Sequence, residues 1–234
     1  MTNAQGGTTW QFPEVKEQPD PRLRGIEMMG DSLRGIRAGT KTQTRRLCRE
    51  PRALRGRFSD PIAAYASIAN RGRTVAAICA TPAELRRTAL RACPYGEVGD
   101  RLYVKESHAY ADKFVDGSDH DPPCTVWYRC DMQALLYQAG ELPTVLDAKS
   151  WEPEAAKWRL NRYMPRWAAR TILTITDLDL GPVQSLSIGD AYREGYGSIA
   201  EYAKVWDELH GTSAPTSWAS NPPVWVITYT IAHV

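Results

Sequence analysis

The sequence is poor in cysteine and has no apolar run long enough to cross a bilayer. Its five cysteines are irregularly spaced, and an odd number does not suit a disulfide framework, so we expect free thiols in a reducing compartment. His120, Cys124 and Cys130 come nearest to a metal-binding set, but cysteines inside a strand are the commoner explanation. The sequence therefore predicts no metal and no cofactor. Residues 1–7 lack a charged and then apolar leader, so we expect a cytoplasmic protein without membrane attachment.

A strong net charge is also missing, because 29 basic residues face 27 acidic ones. The resulting charge of +2 gives no reason to expect an anionic partner. The distribution is more informative, since eleven basic and only three acidic residues lie between Arg22 and Arg57. One basic band in an otherwise acidic chain is typical of a protein that binds nucleic acid, nucleotides or another polyanion. A solvated arginine-rich face would give the same pattern.

The densest polar segment of the chain is GTKTQTRR, from Gly39 to Arg46. Gly39 suits the left-handed residue that ends a helix, so Lys41 and the threonines around it should enter an extended segment. A phosphate-binding loop of the Walker type is excluded, because it needs glycine directly before the lysine and Thr40 stands there. Two interpretations of the segment stay open: a solvent-exposed edge strand and a functional site.

Hydrophobic periodicity and capping residues predict helices and strands that alternate irregularly along the chain. Predicted helices cover residues 82–90, 187–194 and 198–209, and a first helix region covers residues 25–38, where Gly30 either interrupts or precedes the helix. Predicted strands cover residues 74–80, 101–106, 125–129, 170–180 and 224–234. Because the order has no repeated strand–helix–strand rhythm, it favours an α+β fold built on a small mixed β-barrel with flanking helices over a doubly wound sheet. Residues 1–24 contain several glycines and prolines and are predicted to form a flexible N-terminal arm.

Two further groups of polar and aromatic residues have more than one interpretation. Glu106 ends a predicted strand, where a carboxylate serves either a site or an ion pair. Arg166 and Trp167 lie in a segment rich in tryptophan and arginine. Such side chains suit base stacking and phosphate contacts, and they suit core packing with a polar rim as well.

Several separated blocks of the sequence carry a resemblance to a known family. The blocks are GTKTQTRR, CPYGEVGDRLYVKESHAY, MPRWAARTILTITDLDL, SLSIGDAYREGY, VWDELHG and NPPVWVITYTI. In this order they resemble the ASCH domain of the PUA-like superfamily, in the long form typical of phage and prophage genomes. The resemblance implies one domain over residues 25–234, with insertions near residues 49–91 and 112–150. It also implies a small β-barrel with a cleft for a modified nucleoside, RNA or DNA.

Within the ASCH family, a bacterial branch hydrolyses the amide of N4-acetylcytidine with a lysine, a threonine and a glutamate. The Gly-x-Lys-x-x-Thr signature of that branch falls on Lys41 and Thr44, and its glutamate falls on Glu194. The resemblance thus implies an amidohydrolase with these three catalytic residues. Contacts with a substrate or nucleic acid are expected from Thr42, Arg45, Arg46, Glu106, Arg166 and Trp167.

The implied chemistry sets three structural requirements. Thr44 becomes a nucleophile only if a base takes its proton, so Lys41 must be neutral, with a pKa lowered by burial and neighbouring cations. Because Lys41 and Thr44 are three residues apart, a turn or bulge must bring them to the same side. Backbone N–H groups after Gly39 are expected to stabilise the oxyanion. The alternative function is a non-catalytic ASCH module that binds RNA or modified nucleic acid, and the sequence predicts no particular oligomeric state.

Overall fold

A computed structural model of the chain describes residues 23–28, 30–70, 81–110, 124–129, 133–137, 144–146 and 158–233. The strands of this part are β1 (Leu23–Glu27), β2 (Gln43–Leu47), β3 (Arg101–Lys105), β4 (His108–Tyr110), β5 (Cys124–Tyr128), β6 (Gln133–Tyr137), β7 (Thr144–Leu146), β8 (Thr171–Pro182) and β9 (Pro223–His233). The α-helices are α1 (Gly30–Arg37), α2 (Pro61–Ala69), α3 (Pro82–Leu90), α4 (Ile188–Arg193) and α5 (Ile199–His210). Within these residues no helix has the length and apolar character that a membrane crossing needs.

Five strands form a mixed sheet in the order β1-β3-β8-β9-β2. β1 runs parallel to β3, and the other neighbouring strands are antiparallel. Among the described residues β1 and β2 do not pair, so the sheet is open and the predicted closed barrel is not confirmed. The two edges nevertheless approach each other, because Arg46 of β2 donates from Nη2 to the main-chain oxygen of Glu27 at 2.5 Å. The fold is therefore a small α+β structure around a curled mixed sheet.

The main hydrophobic core forms where β8 and β9 are covered by helices. Leu173 and Ile175 of β8 are buried in the same cluster as Trp225 and Ile227 of β9. Tyr65 of α2 packs edge-on against Trp225, with 4.9 Å between the ring centroids. Each large apolar side chain contributes about 1.5–3 kcal/mol by leaving water. This core fixes β9, and through it β2, which carries the polar segment.

Elements with strong local signals match their predicted positions. α3 begins at Pro82 because Thr81 and Glu84 form a capping box, in which each side chain accepts from the backbone N–H of the other. α5, β8 and β9 also begin and end within two residues of their predicted bounds.

The predicted helix over residues 25–38 is wrong in its first part. The chain up to Glu27 is strand β1, because it pairs in parallel with β3, and the helix begins only at Gly30. Leu23 and Arg24, assigned to the N-terminal arm, belong to this strand. The rest of the arm and the predicted strand over residues 74–80 lie outside the described residues.

Both regions predicted as insertions contain regular structure. α2 lies within residues 49–91 and was not predicted, although Asp60 caps it through the N–H of Ile62 and Pro61 opens it. A second sheet, with the antiparallel order β4-β5-β6-β7, lies mostly within residues 112–150. It is separate from the five-stranded sheet that carries the polar segment.

Candidate active site

Lys41 reaches the site from the turn that ends α1. Gly39 has a φ of 71°, a conformation that residues with a side chain rarely adopt. The N–H groups of Thr40 and Lys41 then both donate to the carbonyl oxygen of Gly35, at 2.9 and 3.1 Å. These hydrogen bonds close the helix and lead the chain into β2, so Lys41 lies just before the strand.

Glu194 comes to the same place from the C-terminal end of α4. Ser187 and Asp190 form the capping box that starts this helix, and Gly195 follows its end with a φ of 91°. The Nζ of Lys41 donates to Oε2 of Glu194 at 2.6 Å and to the main-chain oxygen of Glu194 at 2.8 Å. The ammonium of Lys41 therefore donates both to the carboxylate of Glu194 and to a main-chain carbonyl group at the end of α4, where the helix leaves carbonyl groups without internal partners.

The Lys41–Glu194 pair is almost fully withdrawn from solvent, with 3% and 2% of the two side chains exposed. Burial is the main cause that lowers the pKa of Lys41 below its ordinary value of 10.5. Glu194 acts in the opposite direction, and the charges of Arg46 and Arg45 lower the pKa further. The second carboxylate oxygen of Glu194, Oε1, has no hydrogen-bond partner among the described residues. That oxygen lies 3.6 Å from Nη1 of Arg45, which balances its charge without a hydrogen bond.

Arg45 is a second buried cation, and its charge is balanced by acidic residues of α4. Its Nη2 lies 3.3 Å from Oδ2 of Asp190, and its Nη1 lies 3.6 Å from Oε1 of Glu194. Burial alone would raise the pKa of Asp190, but hydrogen bonds from Ser187 and Arg193 and the charge of Arg45 hold that pKa below its usual range. Arg45 thus joins β2 to α4, rather than offering a free charge to a ligand.

Thr44 lies in β2, which begins only at Gln43, so Lys41 lies before the strand. The chain between Lys41 and Thr44 is therefore not a continuous strand, as the implied chemistry requires. Lys41, Thr44 and Glu194 all line one cleft with a volume of about 310 Å³. Within the described part of the chain, the Thr44 hydroxyl forms no hydrogen bond. Other walls of the cleft come from Arg46, Arg49, Tyr196, Tyr202, Trp206 and His210. The structure therefore brings the three implied catalytic residues to a single cleft.

Helix α5 forms an aromatic wall of the cleft. From the sequence this segment was predicted as a helix, without a role in a site. Tyr202, Trp206 and His210 recur at every fourth position of this helix, so they share one face. The ring centroids of Trp206 and His210 are 4.2 Å apart. Burial lowers the pKa of His210, and the charges of Arg49 and Arg46 lower it further, which favours the neutral imidazole. A histidine that continues an aromatic stripe was the available sequence signal for this wall.

The predicted oxyanion site in the turn after Gly39 is wrong. The N–H group of Gly39 donates to Ile36, and those of Thr40 and Lys41 donate to Gly35, as described above. The N–H group of Thr42 donates to the carbonyl oxygen of Arg193 at 2.8 Å. Because the fold uses all of these donors, a negative charge that develops in the cleft has to meet cationic side chains instead.

The remaining predicted contact residues do not line this cleft. Thr42 holds β2 to α4 and β9 through its main chain. Glu106 is fully buried and binds Arg170 through two contacts of 3.0 and 2.7 Å, which matches the ion-pair interpretation. Arg166 and Trp167 belong to the short 3-10 helix Arg166–Ala168.

No group of three or more histidine, cysteine, aspartate or glutamate side chains that could hold a metal ion occurs in the described part of the chain. Comparisons with protein-family models, with curated proteins and with solved structures found no significant match. The resemblance to the ASCH domain stays a prediction.

Proposed function

We propose that this chain is an ASCH-type amidohydrolase that removes the acyl group from N4-acetylated cytidine. The observation that carries the proposal is the buried Lys41–Glu194 pair, 2.6 Å apart, which lines the same cleft as Thr44. A buried ion pair is a poor way to stabilise a fold, because desolvation offsets most of its Coulomb energy. A buried lysine that lines a cleft and has a pKa lowered by burial is a candidate catalytic residue, and Thr44 lines the same cleft.

The shape of the cleft supports a substrate of nucleoside size. Its volume of about 310 Å³ lies at the lower end of the range of about 300–1,000 Å³ for small-molecule pockets. Tyr202 and Trp206 supply aromatic faces on which a base can stack. The approach of the two sheet edges through Arg46 supports a PUA-like barrel as the underlying fold, and the buried free thiols of Cys48 and Cys93 suit a cytoplasmic protein.

The proposed reaction uses these side chains in two steps. Neutral Lys41 takes the hydroxyl proton of Thr44 while Oγ1 attacks the amide carbonyl carbon, and the ammonium that Lys41 becomes stabilises the oxyanion. The C–N bond then breaks, and the exocyclic nitrogen of cytosine leaves with the proton that Lys41 returns. In the second step water attacks the acyl-threonine ester and gives a proton to the pair through Oε1 of Glu194. The bond between the acyl carbon and Oγ1 breaks, the pair passes the proton to Oγ1 of Thr44, and acetic acid leaves and gives its remaining proton to solvent as acetate.

The proposal is tested by acetate release from N4-acetylcytidine with purified protein. We expect the wild-type chain to release acetate and Thr44→Val to lose about a thousandfold or more in rate, because valine keeps the shape but not the nucleophile. Thr230→Val is the matched control, since Thr230 is exposed on β9 and does not line the cleft. If wild-type protein releases no acetate, or if the two variants are equally active, the amidohydrolase proposal is wrong.

A non-catalytic module that binds nucleic acid is the second candidate. It is favoured by Arg46 and Arg49, which line the cleft and form no ion pair within the described residues. For this function we expect binding of cytidine-containing RNA that weakens with rising salt and with Arg46→Ala, without release of acetate. The same acetate assay therefore separates the two candidates.

A further inference from the structure

We infer that the cleft binds a phosphate ester between Arg46 and Arg49, so that its substrate is a nucleotide unit rather than a free nucleoside. The assignment of cytosine as the base depends on the proposed function, whereas the phosphate site depends only on the two arginines. The solvent exposure of three cations increases along the segment: Lys41 is buried, Arg46 is half-buried and Arg49 is exposed. An anionic group of a ligand that enters the cleft would meet Arg46 and Arg49, the two outer arginines.

Unlike the fully buried cations, the two outer arginines have no acidic partner among the described residues. Lys41 binds Glu194, and Arg170 binds Glu106. Within the described part of the chain, Arg46 and Arg49 form no ion pair with a carboxylate. An unpaired arginine beside a cleft is an open position for an anion.

Arg46 is held in place before any ligand binds. Its Nη2 donates to the main-chain oxygen of Glu27 at 2.5 Å and lies 2.9 Å from Sδ of Met28. Its Nε is buried and has no hydrogen-bond partner in the described residues, so the rest of this fixed, planar guanidinium is the part that can face a ligand. Phosphate offers several oxygens to such a fork and can contact more than one cation, whereas a hydroxyl or an amide cannot.

The charges that line the cleft leave a surplus that phosphate would neutralise. Four basic side chains and two carboxylates line it, for a net charge of +2, which Asp190 beside Arg45 lowers to +1. Lys41 and Glu194 neutralise each other, and Arg45 is balanced by Asp190. The surplus therefore belongs to the two outer arginines, opposed only by Glu27. Both arginines act on the same neighbour, since each lowers the pKa of His210.

The test compares the binding of cytidine and cytidine 5′-monophosphate by calorimetry, because neither compound has an acyl group to be hydrolysed. We expect wild-type protein to bind the monophosphate about tenfold or more tightly, the effect of one or two charge-assisted hydrogen bonds. Arg49→Gln and Arg46→Gln should each reduce this preference without changing the affinity for cytidine. Arg86→Gln should keep it, since Arg86 is exposed on α3 and lies outside the cleft lining.

Equal affinity of wild-type protein for the two compounds would overturn the inference, and so would a preference that persists in both Arg46→Gln and Arg49→Gln. Arg49 is exposed, so its substitution tests the site even if the Arg46 variant fails to fold. A short RNA with one internal cytidine distinguishes the source of the phosphate. If the RNA binds more tightly than the monophosphate, the ligand is a phosphodiester within RNA; if it binds more weakly, the ligand is a free nucleotide. A phosphate preference without acetate release would contradict the amidohydrolase proposal alone, and acetate release without the preference would contradict only the phosphate site.

Discussion

Lys41 donates to two oxygens of Glu194 and still has to serve as a base in the proposed reaction. Its pKa lies below 10.5 because of burial, so we expect kcat/KM for acetate release to rise with pH and to level off where Lys41 loses its proton. Lys41→Arg should be inactive at every pH, since a guanidinium keeps its proton throughout this range. The measurement is a pH–rate profile from about pH 6 to about pH 10. A flat profile, or an active arginine variant, would contradict the role of Lys41 as a base.

The same ion pair makes a prediction about stability that does not depend on catalysis. Glu194→Gln leaves the buried ammonium of Lys41 without its counter-charge, which should reduce the free energy of unfolding by about 3–5 kcal/mol. The matched control is the exposed pair of Lys204 and Glu208, 3.9 Å apart with side chains 80% and 61% exposed. Glu208→Gln should cause little measurable change, because solvent screens that pair. Urea unfolding of both variants checks the difference, and equal stabilities would show that the buried pair is solvated.

At the scale of elements, α4 positions Glu194 through the left-handed glycine that follows it. Gly195 has a φ of 91°, so Gly195→Ala should strain the backbone and destabilise the protein by about 1 kcal/mol or more. Gly189 lies inside α4 with helical geometry, and a Cβ there would meet its nearest neighbour at an ordinary 3.8 Å. Gly189→Ala should therefore leave stability unchanged or raise it. Urea unfolding checks the two alanine variants, and the same effect in both would contradict the role of the left-handed turn.

The elements that could be predicted from the sequence are those whose signals are local. α3 has its capping box and proline within four residues, and β8 has a regular alternation of apolar and polar residues. β1 could not be predicted, because its strand state depends on parallel pairing with β3, far along the chain. The role of Glu106 was left open for the same reason, since Arg170 is 64 residues away.

The candidate site could also be predicted only in part. The family resemblance implied Lys41, Thr44 and Glu194, and the structure brings all three to one cleft. The backbone oxyanion donors were predicted wrongly, because the closing hydrogen bonds of α1 cannot be inferred from the presence of Gly39 alone. Arg49 and the α5 wall were not predicted as parts of the site. The sequence does not distinguish an arginine in a cleft from one on the surface, or a tryptophan in a cleft from one in the core.

For the whole molecule, the described arginines of the basic band differ in their surroundings. Arg45 is buried and paired with acidic residues, Arg46 and Arg49 line the cleft, and Arg52 and Arg55 are exposed outside it. In the proposed function, the charge that meets a ligand is therefore that of Arg46 and Arg49 in the cleft. A fold of this kind suits recognition of a single nucleotide unit better than tracking along a nucleic-acid backbone.

The histidines give the whole fold a predicted sensitivity to acid. His108 is fully buried, and burial lowers its pKa, with Arg159 adding to the effect and Glu106 opposing it. Burial also lowers the pKa of His210 and of His233, with neighbouring arginines adding to the effect. Unfolded histidines take up a proton near their ordinary pKa of 6.5, whereas the folded ones do so only at lower pH.

Between those two pH values the unfolded state binds more protons, so the free energy of unfolding should be fully retained above about pH 6.5 and should fall as the pH drops below it. Each proton contributes a slope of up to about 1.4 kcal/mol per pH unit. Urea unfolding at several pH values between about 5 and about 8 measures this slope. His108→Gln should flatten it more than His233→Gln, because His108 is fully buried and His233 is exposed. A stability that rises on acidification, or equal slopes in the two variants, would show that these imidazoles are hydrated in the folded protein.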